Sequence, residues 1–211
     1  MSDLDGTARD SWQDPDSAII RQLSEDDDVS RLHERLAAAA QSAGVLDVAY
    51  DTVDTPVGTL LLATTEEGLV RVAYPIQGHD AVLAQLASDI SPRILHAPEQ
   101  LREPTRQLDE YFAGRRRQFD LQLDNRLSPG FRRSVLSQLP GIGYGSTVSY
   151  GELAAMAGNP KAARAVGTAC GANPLPVVVP CHRVVRSDGS AGGYAGGPEA
   201  KEALLKLEGA A

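Results

Sequence analysis

The chain has 211 residues, 42% hydrophobic and 23% charged, with a formal net charge of −8. That length suits one large or two small domains with a proper core, and the composition excludes a fibre or a globally disordered chain. No apolar run approaches a membrane span, the acidic start is unlike a secretory signal, and a reduced, cytoplasmic setting is the simpler expectation. Only two cysteines, Cys170 and Cys181, are present, which excludes a disulfide framework and a cysteine-rich zinc site.

Charge is unevenly spread. Residues 1–47 carry 4 basic and 11 acidic groups, residues 48–125 carry 7 and 12, and residues 126–211 carry 9 and 5. A positive surplus confined to the last segment is the footprint of a nucleic-acid contact on an otherwise acidic chain. The same segments give the expected organisation: an acidic tail with a short helix (1–47), a small α+β domain (48–125) and a mainly helical domain (126–211).

Residues 1–28 are rich in Asp, Ser and Gly and read as a disordered, solubilising leader, the alternative being a regulatory arm or a mimic of DNA charge. A helix is predicted over 29–43, capped by Ser30 and carrying Leu32 and Leu36. Strands are predicted over 47–53, 57–64 and 69–74, the first two as a hairpin. Helices follow over 78–87 and 98–113, where Pro104 implies a late start or a kink, and residues 119–123 are placed to close the sheet. Nothing in 48–125 announces chemistry.

The helical segment is better punctuated. Ser128 and Pro129 signal a helix whose face carries Phe131, Val135, Leu136 and Leu139. Ser149 and Glu152 have capping-box spacing for a helix to Ala157. After Gly158, Asn159-Pro160 signals another helix, to about Cys170. Two short helices around a tight turn read as a helix-turn-helix or as a generic helical core. The second is slim: Ala162, Ala163, Ala165, Gly167 and Ala169 surround one cation, Arg164. Little bulk around a lone cation favours sequence-tolerant binding in the minor groove over base reading in the major groove.

Val177-Val178-Val179 suits a buried strand that delivers Pro180-Cys181-His182-Arg183-Val184. A free thiol is only slightly ionised near neutrality, so a nucleophilic Cys181 needs a base or positive charge nearby, and His182 and Arg183 are candidates for both. A buried Cys packing as a small hydrophobe is the plainer reading.

Pro180–Val184 resembles the active-site signature of the O6-alkylguanine-DNA alkyltransferases. The similarity runs through Ser149–Ala154, Ala163–Gly167, Asn173-Pro174, Gly193-Tyr194, Lys201 and Leu207–Gly209, covering nearly all of the chain after about Ser128. The resemblance implies a ribonuclease-H-like N-terminal domain and a winged-helix-like C-terminal domain with a helix-turn-helix. It implies a single-turnover protein that flips O6-alkylguanine, and O4-alkylthymine, out of duplex DNA and transfers the alkyl group to Cys181. In that reading His182 is the base, acting through a water, Glu208 orients the imidazole, and Asn173 ties the recognition helix to the active-site segment. Tyr150 crowds the phosphate and bonds guanine N3, and Arg164 fills the vacated stack on a helix that includes Ala162 and Ala163. Tyr194 walls the pocket, Ala195 offers a backbone N–H to O6, the carbonyls of Cys181 and Val184 accept from the exocyclic amine, and Lys201 lies near the thiol. A monomer is expected, on double-stranded DNA, with no membrane, metal or cofactor. The rival readings are a lesion-binding relative that does not repair, a helix-turn-helix transcription regulator and a Cys-dependent hydrolase. Such non-repairing relatives lack the reactive cysteine that this chain has.

Overall fold

The structure is a computed structural model that describes residue 29, residues 31–33 and residues 35–210. The expectations for the acidic leader and for Ser30 as a cap lie outside the described residues. A first helix, α1, runs through 35–42. Its buried contacts come from Ala37 and Ala40, while Leu32 and Leu36, expected on the packed face, are more than half exposed.

Strands β1 (Val48–Val53), β2 (Leu60–Thr65), β3 (Gly68–Ala73) and β4 (Ile94–His96) form one sheet in the order β3-β2-β1-β4. The expected hairpin is present, with β1 antiparallel to β2; β4, missed in the sequence, adds parallel to β1. Strand β2 is buried on both sides because alternate residues serve two layers. Leu61 and Ala63 face α2 (His79–Asp89) through Val82 and Leu86. Leu60 and Leu62 join a core that includes Leu108 and Tyr111 of α3 (Arg102–Phe112) and continues into the C-terminal half. The helix signalled at Pro98 starts as a 3-10 turn, and the α-helix begins at Arg102, so Pro104 sits in its first turn, where its missing N–H costs nothing. The 119–123 stretch does not form a strand; only Leu123 bridges Leu69.

The C-terminal half packs α4 (Phe131–Leu136), α5 (Tyr150–Met156), α6 (Ala163–Gly171) and α7 (Gly197–Glu208) onto that core. Ser128 is not the cap of α4. Its N–H closes a turn on the Asn125 carbonyl, Gly130 takes the cap position at φ 61°, and Phe131 lies largely outside the core. Helix α6 begins later than its sequence signal, since Ala162 N–H bonds the Asn159 carbonyl in a turn and Ala162 becomes the N-cap. In α7 the buried set is Ala200, Lys201, Leu204, Leu205 and Glu208.

The three valines before Cys181 are buried but form no strand. Val179 N–H bonds the Leu175 carbonyl, and Val177 sits at φ 73°, a left-handed conformation that a β-branched residue enters only when its surroundings force it. Pro176 and Pro180 flank the turn and remove two ladder donors, so burial is met without a sheet. After Cys181–Arg183, a 3-10 turn, a short strand β6 (Val184–Val185) pairs in parallel with β5 (Val148–Ser149), which leads directly into α5.

Helix α5 therefore depends on a real capping box, with Ser149 Oγ accepting from Glu152 N–H and Glu152 Oε2 accepting from Ser149 N–H. Ser149→Ala is expected to cost about 1 kcal/mol, read as a lower urea midpoint with an unchanged slope.

Candidate active site

Cys181 opens its 3-10 turn with its backbone N–H on the Val179 carbonyl, and its side chain is 3% exposed. Asn173, just beyond α6, holds the segment from inside. Its Nδ2 donates to the Val179 carbonyl (2.8 Å) and to Cys181 Sγ (3.2 Å), and its Oδ1 accepts from Leu175 N–H (3.0 Å). Burial pushes the thiol up to about 11, against the Asn173 bond and the charge of Lys201. The resting sulfur is a protonated thiol.

His182 is fully buried, and its Nε2 lies 3.0 Å from Glu208 Oε1. Burial lowers the imidazole below its ordinary 6.5, with Glu208 opposing. For Glu208, burial raises the carboxyl, but the bonds from His182, Arg183 and Tyr111 outweigh it and hold the group at about 2. An ionised carboxylate only accepts, so the proton of the neutral imidazole must sit on Nε2. The lone pair is then on Nδ1, which is buried without a hydrogen-bond partner. That is a base with its acceptor nitrogen free.

Glu208 is gripped more firmly than the sequence indicated. Arg183 donates Nη2 to Oε1 and Nε to Oε2, both at 2.9 Å, Tyr111 Oη donates to Oε1 at 2.7 Å, and Gly145 N–H reaches Oε2 at 3.2 Å. The third guanidinium nitrogen, Nη1, donates to the Ile142 carbonyl at 2.6 Å. Arg183, a candidate for activating the thiol, is instead committed to the carboxylate. The cation that favours the thiolate is Lys201, buried on α7, whose Nζ donates to the Val184 carbonyl at 2.6 Å and lies 5.9 Å from the Tyr150 ring. The carbonyls of Cys181 and Val184 each already accept one bond, from Val184 N–H and from Lys201, and keep a second lone pair.

Tyr150, the first residue of α5, is half-buried, and a Cβ built on Gly192 would stand 2.9 Å from its hydroxyl. Burial raises the phenol. Tyr194 stands edge-on to His182 (6.3 Å between rings) and to Tyr74 of the N-terminal half (5.6 Å), and Ala195 packs beside it against the core. Arg164 is exposed in the first turn of α6, between half-buried Ala163 and exposed Ala165, with Ala162 before it. The structure thus gathers Cys181, His182, Glu208, Asn173, Lys201 and Val184 into one buried cluster, with half-buried Tyr150 and Tyr194 at its edge, and leaves Arg164 exposed on α6. Tyr111, Gly145 and Tyr74 were missed. Tyr111 carried a signal only as an apolar helix position, and Tyr74 only as the end of a strand.

A buried thiol and a carboxylate-held imidazole, consecutive on one 3-10 turn, form a cysteine-centred site on a helical scaffold whose helix α6 bears one exposed cation. Two family models match in tandem: the ribonuclease-like domain of 6-O-methylguanine DNA methyltransferase over residues 48–125, and its DNA binding domain over 130–210. The chain belongs to the 6-O-methylguanine DNA methyltransferase family. The methylated-DNA–protein-cysteine methyltransferase of Methanosarcina acetivorans is 42% identical over 160 residues, covering 76% of this chain and 97% of that protein. The mouse protein of the same name is 42% identical over 171 residues, 76% of this chain and 81% of its own. The crystal structure of Mycobacterium tuberculosis OGT in complex with DNA superposes with a TM-score of 0.67 at 40% identity, covering 76% of this chain and 92% of that one. No described helix is long and apolar enough to cross a membrane, and no group of three or more His, Cys, Asp or Glu among the described residues is placed to hold a metal.

The shifts of His182 and Glu208 act in the same sense. Both folded values lie below the ordinary ones, so folding favours the deprotonated forms and acid opposes it. Stability is expected to be full above pH 6.5 and to fall below it as His182 is forced to charge. A further loss follows between 4.5 and about 2 as Glu208 is protonated. The Glu208 contribution is about 3 kcal/mol. Urea titrations from pH 7 to pH 3 check this; a midpoint that does not move contradicts it.

Proposed function

We propose that this chain is a single-turnover DNA repair methyltransferase that moves the alkyl group of O6-alkylguanine onto Cys181. The observation that carries this reading is a buried thiol bonded by Asn173 Nδ2 on the same short turn as a buried imidazole bonded by Glu208, with Nδ1 of that ring without a hydrogen-bond partner among the described residues. O4-alkylthymine presents the same electrophilic carbon and is the expected second substrate.

The base has to leave the stack, because an alkyl group on a paired guanine is out of reach of a thiol that is 3% exposed. Helix α6 enters the minor groove with its small residues, Ala162 and Ala163, against the backbone. Arg164 fills the gap left by the flipped nucleotide, and Tyr150 crowds the phosphate and then bonds guanine N3. The carbonyls of Cys181 and Val184 read the exocyclic amine, the Ala195 N–H faces O6, and Tyr194 walls the pocket. A monomer suffices for this.

His182 Nδ1 takes the thiol proton through a water, and the imidazolium so formed is stabilised by Glu208. The sulfur attacks the alkyl carbon in line. The S–C bond forms as the C–O6 bond breaks, and the electron pair leaves with the guanine. Lys201 and Asn173 stabilise the transient thiolate, since both favour the anion. The thioether product has no leaving group that these residues can activate, so the protein is consumed.

Incubation with duplex DNA containing O6-methylguanine should add one methyl to the Cys181 peptide, by mass spectrometry. Cys181→Ala should abolish the addition, and His182→Ala should slow it by roughly 100-fold or more. Turnover beyond one equivalent, or methyl on another residue, contradicts the reading; so does a protein that binds the lesion and gains no mass. Because the thiol is packed on all sides, the methylated protein should be less stable than the free one by about 1–3 kcal/mol. A melting scan of the two forms tests this.

A further inference from the structure

Tyr74 directly follows β3 in the N-terminal half, yet its hydroxyl lies 3.0 Å from that of Tyr194 on the glycine-rich segment 192–197. It is 1% exposed, and its N–H is held by Gln77 Oε1 at 3.0 Å. The strand itself donates Val72 N–H to the Pro174 carbonyl at 2.8 Å, next to Asn173, so β3 and the residue after it each hold a different part of the C-terminal half. Gly196 shows what the ring demands. Its backbone (φ −91°, ψ 7°) is open to any residue, but a Cβ there would stand 2.6–2.7 Å from the Tyr74 ring. Gly192, at the other end, is filled in the same way by Tyr150. The segment is clamped between two tyrosines, and beneath it Cys181 is 3% exposed.

We propose that Tyr74 is a positioning residue that latches the Gly192–Gly197 segment shut through Tyr194, so that the N-terminal half sets how readily the thiol pocket opens. This rests on the reading of Cys181 as the acceptor only for its purpose; the latch itself is a statement about access. A base cannot enter while the two hydroxyls are joined, so the bond is broken on each opening.

The test is the rate at which iodoacetamide labels Cys181, read by peptide mass against Cys170, which is also buried and reports general loosening of the fold. Tyr74→Phe keeps the ring and removes the hydroxyl. The Cys181 rate is expected to rise about 3- to 10-fold relative to Cys170, the size of one hydrogen bond. A ratio unchanged from wild type overturns the latch, including the case where both rates rise together. Gly196→Ala, which pushes against the ring, should also raise the ratio in the wild type and have no further effect in Tyr74→Ala; equal effects in both backgrounds overturn the clamp. Methyl transfer by the wild type is measured alongside. Transfer with an unchanged Tyr74→Phe ratio removes the latch and leaves the repair function, whereas a raised ratio without transfer supports the latch and removes that function.

Discussion

The site depends on one carboxylate. Glu208 accepts five hydrogen bonds, from Tyr111, Gly145, His182 and twice from Arg183. These donors come from the N-terminal half, the loop before α5 and the active-site turn, so a single ion ties distant parts of the chain together. Position alone disfavours it, since a helix C-terminus repels negative charge. The bidentate guanidinium clamp offsets that penalty, and removing either partner would leave an unpaired buried charge. Its consequence for chemistry is the tautomer of His182: the carboxylate claims the Nε2 proton and leaves Nδ1 as the acceptor.

From that follows the state of the sulfur. Burial sets the thiol near 11 and keeps the imidazole neutral, so the resting protein holds no thiolate–imidazolium pair. On the proposed mechanism, a substrate and a bridging water would complete the path between sulfur and nitrogen. A buried thiol suits a protein whose acceptor is used once, because a permanently exposed thiolate would be spent on other electrophiles. The N-terminal half supplies Tyr111 to the carboxylate and Tyr74 to the pocket wall, and so takes part in the site as well as supporting it.

Much of this was legible in residue order. The grouping of Cys181, His182, Asn173 and Glu208 came from the resemblance of their motifs to a known family, whereas the hairpin and the capping box at Ser149 could be read because each leaves a local mark. The turn at Val177 could not: three β-branched residues mark a strand, and only the packed core forces the left-handed conformation seen there. Ser128 and Asn159 carry cap chemistry, but backbone turns ahead of α4 and α6 moved both helix starts. Arg183 shows the limit most clearly. Adjacent to the thiol in sequence, it points to Glu208, while the cation that favours the thiolate, Lys201, arrives from a helix near the end of the chain. Side-chain direction across a 3-10 turn is set by tertiary packing and leaves no trace in spacing.

Nitrogen-15 NMR of the free protein with labelled histidine tests the central claim most directly. At pH 7 the account predicts His182 as a neutral ring protonated on Nε2 only, with Nδ1 showing the shift of a bare acceptor. A His182 signal with both nitrogens protonated, the mark of an imidazolium paired with a resting thiolate, would contradict it.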